Sequence, residues 1–231
     1  MSRRNRILAI ALPAVALAAA VIALTAFAGD DSGTKTKRVA PNGVATLLAG
    51  IPQSGLVLGR PSAPVTLVEF ADLQCPYCGE WARGTLPTIV RRYVRPGKVK
   101  IEFRGLHFVG PDSETALRTV LAARSQRRLW NVVENLYERQ GTENAGWVTR
   151  DLLREVGDSI PGLDTDRLLA DSDSPAVDAA IRQNDSLAQE IGVKGTPTFY
   201  AGPSNGKLSF VKLGSLGPEG IEPTLQKLLA G

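Results

Sequence analysis

Cysteine is nearly absent from this chain: its 231 residues include two, Cys75 and Cys78, together with one histidine, His107. Two cysteines cannot build a disulfide framework, so any redox chemistry runs through this one pair. A structural zinc site takes about four ligands, more than two cysteines and one histidine offer. Cysteine-protease chemistry would need a base held by a third group beside the thiol, and the sequence shows no such arrangement. His107 is read as closing a strand beside the face that carries the cysteines. Charge of one sign is scarce outside the N-terminus. Arg3, Arg4, Arg6, Lys35, Lys37 and Arg38 against Asp30 and Asp31 account for the whole formal net charge of +4, and the remainder is neutral. Aromatics make up only 6% of the residues and no basic stripe is interleaved with them, so nucleic acid is not an expected partner. Trp81, Trp130 and Trp147 are given no binding role, since aromatics in helices usually serve the core.

Long uncharged runs are missing too, with one exception. After Met-Ser-Arg-Arg-Asn-Arg the residues from Ile7 to Ala28 carry no charge, a length that makes about 33 Å of helix and spans a bilayer core. A secretory signal has a shorter apolar region of about 7 to 15 residues, yet Ala26-Phe27-Ala28 before Gly29 also has the form of a cleavage site. Residues 1–29 are therefore read as a signal anchor, with a cleaved signal peptide as the alternative. Either reading keeps the arginines in the cytoplasm and sends the rest outside, where disulfides persist. The expected location is the cell membrane, single-pass with the catalytic domain extracytoplasmic, or a secreted or periplasmic form after cleavage near Ala28.

What remains is an ordinary globular composition, 43% apolar, enough for one domain with an insertion or two small domains. Residues 30–54 read as a flexible tether, with a possible short helix over Val44–Ile51. Strands are expected at Leu56–Leu58, Val65–Ala71 and Val99–Arg104, the last two separated by a helix that Pro87 should kink or divide. Helices follow: one capped by Asp112 or Ser113 and running to Ser125, then Leu129–Tyr137, Asp151–Val156 capped by Thr149, and Thr165–Ala170. A longer one starts at Ser174-Pro175 and stops at Gly192. Thr198–Ala201 and Leu208–Leu213 flank Gly-Pro-Ser-Asn-Gly as a hairpin, and Pro218–Leu229 closes the chain as a helix.

The strand over Val65–Ala71 runs straight into Cys75-Pro76-Tyr77-Cys78, which opens a helix. Unpaired N–H groups and the partial positive charge of a helix start favour thiolate at Cys75, making it the attacking sulfur. Cys78, one turn further in, is expected to be more buried and to close on the mixed disulfide. Residues three apart on a helix have Cβ atoms roughly 5 to 6 Å apart, a little wider than a relaxed disulfide prefers, so the bridge should be easily reduced.

The segment Gly-Arg-Pro-Ser-Ala-Pro-Val-Thr-Leu-Val-Glu-Phe-Ala-Asp-Leu-Gln-Cys-Pro-Tyr-Cys, with Gly195-Thr196-Pro197-Thr198 before a later strand, resembles the DsbA-type thiol-disulfide oxidoreductases. The fold this implies is α/β, a thioredoxin-like fold with an inserted helical domain, preceded by the N-terminal anchor or signal segment. The long separation of Cys75 from Pro197 suits that insertion. Residues 55–110 and 192–231 would form the thioredoxin-like domain and 111–191 the helical insertion. The resemblance implies that Cys75 and Cys78 are catalytic, with Pro76 and Tyr77 as the spacer. It implies a cis-proline at Pro197 which, with Thr196, offers backbone hydrogen bonds to an extended substrate, and a buried acid at Glu69 that exchanges protons during thiol exchange. It implies no cofactor. The partners would be exported client proteins with cysteine pairs and a membrane partner that passes electrons to quinone. Pro76-Tyr77 is also typical of glutaredoxins, but the export signal and helical insertion speak against a cytosolic reductase. A non-catalytic chaperone or adaptor on the same fold would tolerate loss of both cysteines. The best-known oxidants of the family have a histidine where this chain has Tyr77. A phenol adds no charge, so Cys75 is expected below the free-cysteine value of about 8.5 but above the most depressed values near 3.5.

Overall fold

The computed structural model describes residues 41–231. The uncharged run Ile7–Ala28 and the tether before residue 41 lie outside the described residues. Among the described residues no helix is long and apolar enough to cross a membrane.

A six-stranded sheet organises the domain, in the order β1-β2-β4-β3-β5-β6. Its centre is β3 (Val65–Asp72), where every residue is buried. That explains why apolar residues fall on both of its faces, since a strand covered on both sides has no solvent side to mark with alternating polar residues. β3 pairs in parallel with β4 (Val99–Leu106) and antiparallel with β5 (Thr198–Pro203), which places Glu69 between Phe103 and Phe199. β6 (Ser209–Val211) pairs with β5, and β2 (Val57–Leu58) pairs with β4. β1 (Gln53–Ser54) forms a tight hairpin with β2 around Gly55, whose φ of 58° suits glycine. This strand was not expected, because two residues are too few to show a period.

The first helix, α1 (Pro41–Leu48), begins and ends three residues earlier than the pattern over Val44–Ile51 predicts. Gly50, with φ 72°, ends it and lets the Ile51 N–H turn back to the Leu48 carbonyl at 3.1 Å. After the cysteines, α2 (Pro76–Gly84) passes through Thr85 into α3 (Leu86–Ile89) and a wide turn over Val90–Val94. The division falls beside Pro87, which cannot donate to the preceding turn.

Five helices separate β4 from β5: α4 (Pro111–Ala122), α5 (Leu129–Glu138), α6 (Arg150–Asp158), α7 (Thr165–Asp171) and α8 (Pro175–Glu190). Thr149 caps α6 as predicted, its side chain accepting from the Leu152 N–H at 3.1 Å. Asp112 and Ser113, by contrast, lie inside α4, whose N-cap is Gly110. Ser113 is buried and spends its hydroxyl on Asp72 instead. The helices share one apolar core with a sheet face. Trp130 of α5 meets Phe103 of β4 edge to face at 6.0 Å and donates its indole N–H to the Leu56 carbonyl. The opposite sheet face packs Val68, Phe70 and Leu106 against Ala188 and Val193. The chain ends in α9 (Pro218–Ala230).

Candidate active site

β3 delivers Cys75 to the start of α2, where it is the N-cap residue with extended backbone (φ −64°, ψ 119°) and Pro76 occupies the first turn. The arrangement follows from the sequence. Proline tolerates the first helical position, where an N–H would be unpaired anyway, and it holds the φ the helix needs. Both sulfurs are free thiols. Cys75 is 6% exposed and Cys78 fully buried.

The two sulfurs sit in opposite conditions. Cys75 is pulled down from the usual thiol range to about 6, chiefly by the hydrogen bond from the Cys78 side chain. Burial opposes that shift, while the Thr196 side chain and the backbone N–H groups of Cys78 and Tyr77 add to it. Cys78 is pushed well above the usual range, first by burial and then by its neighbours Cys75 and Glu69. An N–H-lined helix start stabilises one thiolate, and the sulfur one turn inward keeps its proton.

Glu69 lies behind the sulfurs on the core face of β3. It is 2% exposed, and burial raises its carboxyl to about 8, with the Trp81 indole pulling back in part. Glu69 Oε1 and Trp81 Nε1 both lack a well-formed hydrogen bond among the described residues. Trp81 also packs on Phe199 with ring centroids 4.4 Å apart. Glu134 of α5 is a second buried acid, raised by burial and then by the charge of Glu69. A proton held on a buried carboxyl can be lent to a departing thiolate.

Thr196 and Pro197 come to the same place from the far end of the helical block. The Thr196–Pro197 peptide bond is cis, and the Cys75 thiol donates to the Thr196 carbonyl at 3.2 Å. Beside them runs a groove of about 440 Å³ lined by Tyr77, Pro197, Phe210, Val211, Leu213 and Leu216. Tyr77 and Phe210 are about 60% exposed, large apolar surface held ready at the rim of a reactive thiol. A larger cleft, about 620 Å³, runs between α1 and the start of α5, and none of these residues lines it. His107 ends up just past β4, paired with Asp185 at 3.3 Å. Among the described residues no group of His, Cys, Asp and Glu could hold a metal ion.

Sequence reasoning missed the residues that brace the turn. Asp72 accepts from the Ser113 hydroxyl at 2.6 Å, the Gln74 N–H at 2.8 Å and the Val109 N–H at 3.0 Å. Tyr137, Gln140 and Asn144 hold the same turn from the other side. Of these groups and Glu134, only Glu134 left a trace. It falls on the apolar stripe Trp130, Val133, Tyr137 of α5, where a carboxylate is out of place.

The comparisons with known proteins agree with this geometry. The Thioredoxin family model matches residues 52–208. The chain is 31% identical over 173 residues to the probable disulfide bond formation protein D of Bacillus anthracis, covering 74% of this chain and 78% of that one. The crystal structure of oxidised BdbD from Bacillus subtilis superposes with a TM-score of 0.67 at 27% identity, over 78% of this chain and 98% of that one. A thioredoxin-like oxidoreductase from Silicibacter pomeroyi gives a TM-score of 0.58 at 31% identity, over 76% and 92%. The chain belongs to the thioredoxin family as a DsbA-like thiol-disulfide oxidoreductase.

Proposed function

We propose that this oxidoreductase works outside the cytoplasm as a donor of disulfides, oxidising cysteine pairs in exported client proteins through Cys75 and Cys78. The observation that carries this reading is the lowered Cys75 thiol, at about 6. A stabilised thiolate makes the reduced form the comfortable one, so the Cys75–Cys78 disulfide tends to be passed on. The relatives named for disulfide bond formation support the same direction.

The steps balance as follows. A client thiolate attacks Cys75 Sγ, the Cys75–Cys78 bond breaks, and Cys78 leaves with the electron pair. Cys78 takes up a proton, for which protonated Glu69 is the donor at hand. The client's second thiolate then attacks its own sulfur in the mixed disulfide and expels Cys75 as a stable thiolate. The client has lost two electrons and the Cys75–Cys78 pair has gained them. An extended client segment would lie along the Thr196–Pro197 loop, its apolar side chains in the groove between Tyr77 and Phe210. Regeneration falls to a membrane partner that passes the electrons to quinone.

Location rests on the uncharged run behind three arginines at the N-terminus. A reporter fused after Gly231 should be active outside the cytoplasm, and an alkaline wash should leave the chain with the membranes. A shortened soluble form would instead mean cleavage near Ala28. For the direction of electron flow, equilibrating the purified chain with glutathione buffers should give a potential between about −230 and −120 mV, moderate because Tyr77 adds no charge. A value near that of thioredoxin, about −270 mV, would make it an extracytoplasmic reductase.

A further inference from the structure

The turn that presents the nucleophile, Asp72 to Cys75, closes on itself through the Cys75 N–H donating to the Asp72 carbonyl at 3.1 Å and the Gln74 N–H to Asp72 Oδ1 at 2.8 Å. Further hold comes from side chains between residues 111 and 144. The Tyr137 hydroxyl donates to the Asp72 carbonyl at 3.2 Å. The Gln74 amide donates to Ser113 at 3.0 Å and accepts from the Asn144 N–H at 2.7 Å. Gln140, just past the end of α5, does most. Its Nε2 donates to the Leu73 carbonyl at 2.9 Å and to the Cys75 carbonyl at 3.0 Å, spending both amide hydrogens on the two sides of the turn. Two acceptors on one side fix which end of the amide is nitrogen. The oxygen end accordingly faces the Arg83 guanidinium, at 3.4 Å, and that guanidinium is itself anchored on the Tyr137 carbonyl at 2.6 Å.

A second observation points the same way. Gly79 follows Cys78 inside α2, where glycine costs about 1 kcal/mol relative to alanine. A Cβ at that position would run into Gln140 Oε1 and stand 2.7 Å from Arg83 Nη1. The bare backbone of Gly79 is the floor on which the Gln140 amide lies.

We propose that Gln140 is a positioning residue for the nucleophile: by bridging the Leu73 and Cys75 carbonyls it keeps Cys75 Sγ seated over the first turn of α2. The inference rests on the reading of Cys75 as the attacking thiol. Gln140 acts on it in two ways. It fixes the turn so that the Tyr77 and Cys78 N–H groups stay aimed at the sulfur. It also covers the negative ends of two carbonyl dipoles on the residues beside that sulfur, which would otherwise oppose a thiolate.

The test is an ultraviolet titration of the Cys75 thiolate in the reduced full chain, with Cys75→Ser as the blank. Gln140→Leu keeps an apolar stem one atom shorter and removes the donors. Gly79→Ala leaves Gln140 in the sequence, raises the helix propensity of α2 and denies the amide its place. Each should move the midpoint upward by on the order of one pH unit, the size of one good hydrogen bond to a charged group. A thermal midpoint of Gly79→Ala near that of the parent would separate this from general loosening. Should Gln140→Leu fail to fold, Gly79→Ala carries the test alone. An unchanged midpoint in either folded variant overturns the role of Gln140. A parent midpoint near 8.5, the free-cysteine value, would instead remove the nucleophile reading itself.

Discussion

The active site has an outer half and an inner half, divided by the first turn of α2. The outer half holds Cys75, Tyr77, Thr196, Pro197 and Phe210, with aromatic surface open to solvent. The inner half holds Cys78, Glu69, Trp81, Glu134 and Tyr137, all buried. The same burial that raises Cys78, Glu69 and Glu134 toward their neutral forms is offset at Cys75, because there the helix N–H groups and the Cys78 side chain favour the charge. A step of three residues thus separates a thiolate that can attack and leave from a group that holds protons. Depth alone does not account for the two halves; what differs is which dipoles each group meets.

The largest effect should come from breaking the pair. In Cys78→Ala the Cys75 thiolate can still attack the disulfide of an oxidised client, but no inner sulfur remains to release that client, so Cys75 should accumulate as a mixed disulfide, visible on a non-reducing gel. Cys75→Ser should trap nothing and reduce oxidase turnover to background. Equal trapping by a chain that keeps only Cys78 would dissolve the distinction between the halves.

The inner half should then reveal itself through pH. Glu69 binds its proton more tightly folded than unfolded, so its contribution to stability is intact below about 4.5 and is lost progressively as pH rises toward 8. Glu69→Gln, which cannot ionise, should be more stable than the parent by roughly 2 to 4 kcal/mol at neutral pH, with the gap closing in acid. Denaturant unfolding at several pH values measures it. The same variant should slow release of Cys78 from the disulfide.

A smaller effect is expected at the outer rim. Phe210 is 60% exposed in the free chain, and burying such a ring against a client is worth about 1 to 2 kcal/mol. Phe210→Ala should therefore raise KM for a peptide client about tenfold and leave kcat nearly unchanged. A fall in kcat with constant KM would mean that the groove acts in the chemistry rather than in docking.

How much of this could be read in advance follows the same division. The strand that ends in Cys75-Pro76-Tyr77-Cys78 and the turn before Thr198 are local patterns, and the structure puts Cys75 and Thr196 within hydrogen-bond reach across 121 residues. Helix starts with their own caps, such as Thr149, were legible because a cap is a matter of three or four residues. Ser113 looked like a cap and is a buried donor to Asp72, since tertiary demand outweighed the local option. Gln140 and Asn144 left no signal, for a polar residue after a helix looks the same whether it meets solvent or a backbone 65 residues away. β1 was too short to show alternation.

The central claim is that the two sulfurs differ, and the most direct measurement is alkylation of the reduced chain across pH, with the modified cysteine identified by peptide mass. Cys75 should react with half-maximal rate near pH 6, while Cys78 stays unreacted through neutral pH until the chain unfolds. If the two cysteines are modified together with a common midpoint at the free-cysteine value of about 8.5, the division between an outer nucleophile and an inner proton-holding half is wrong.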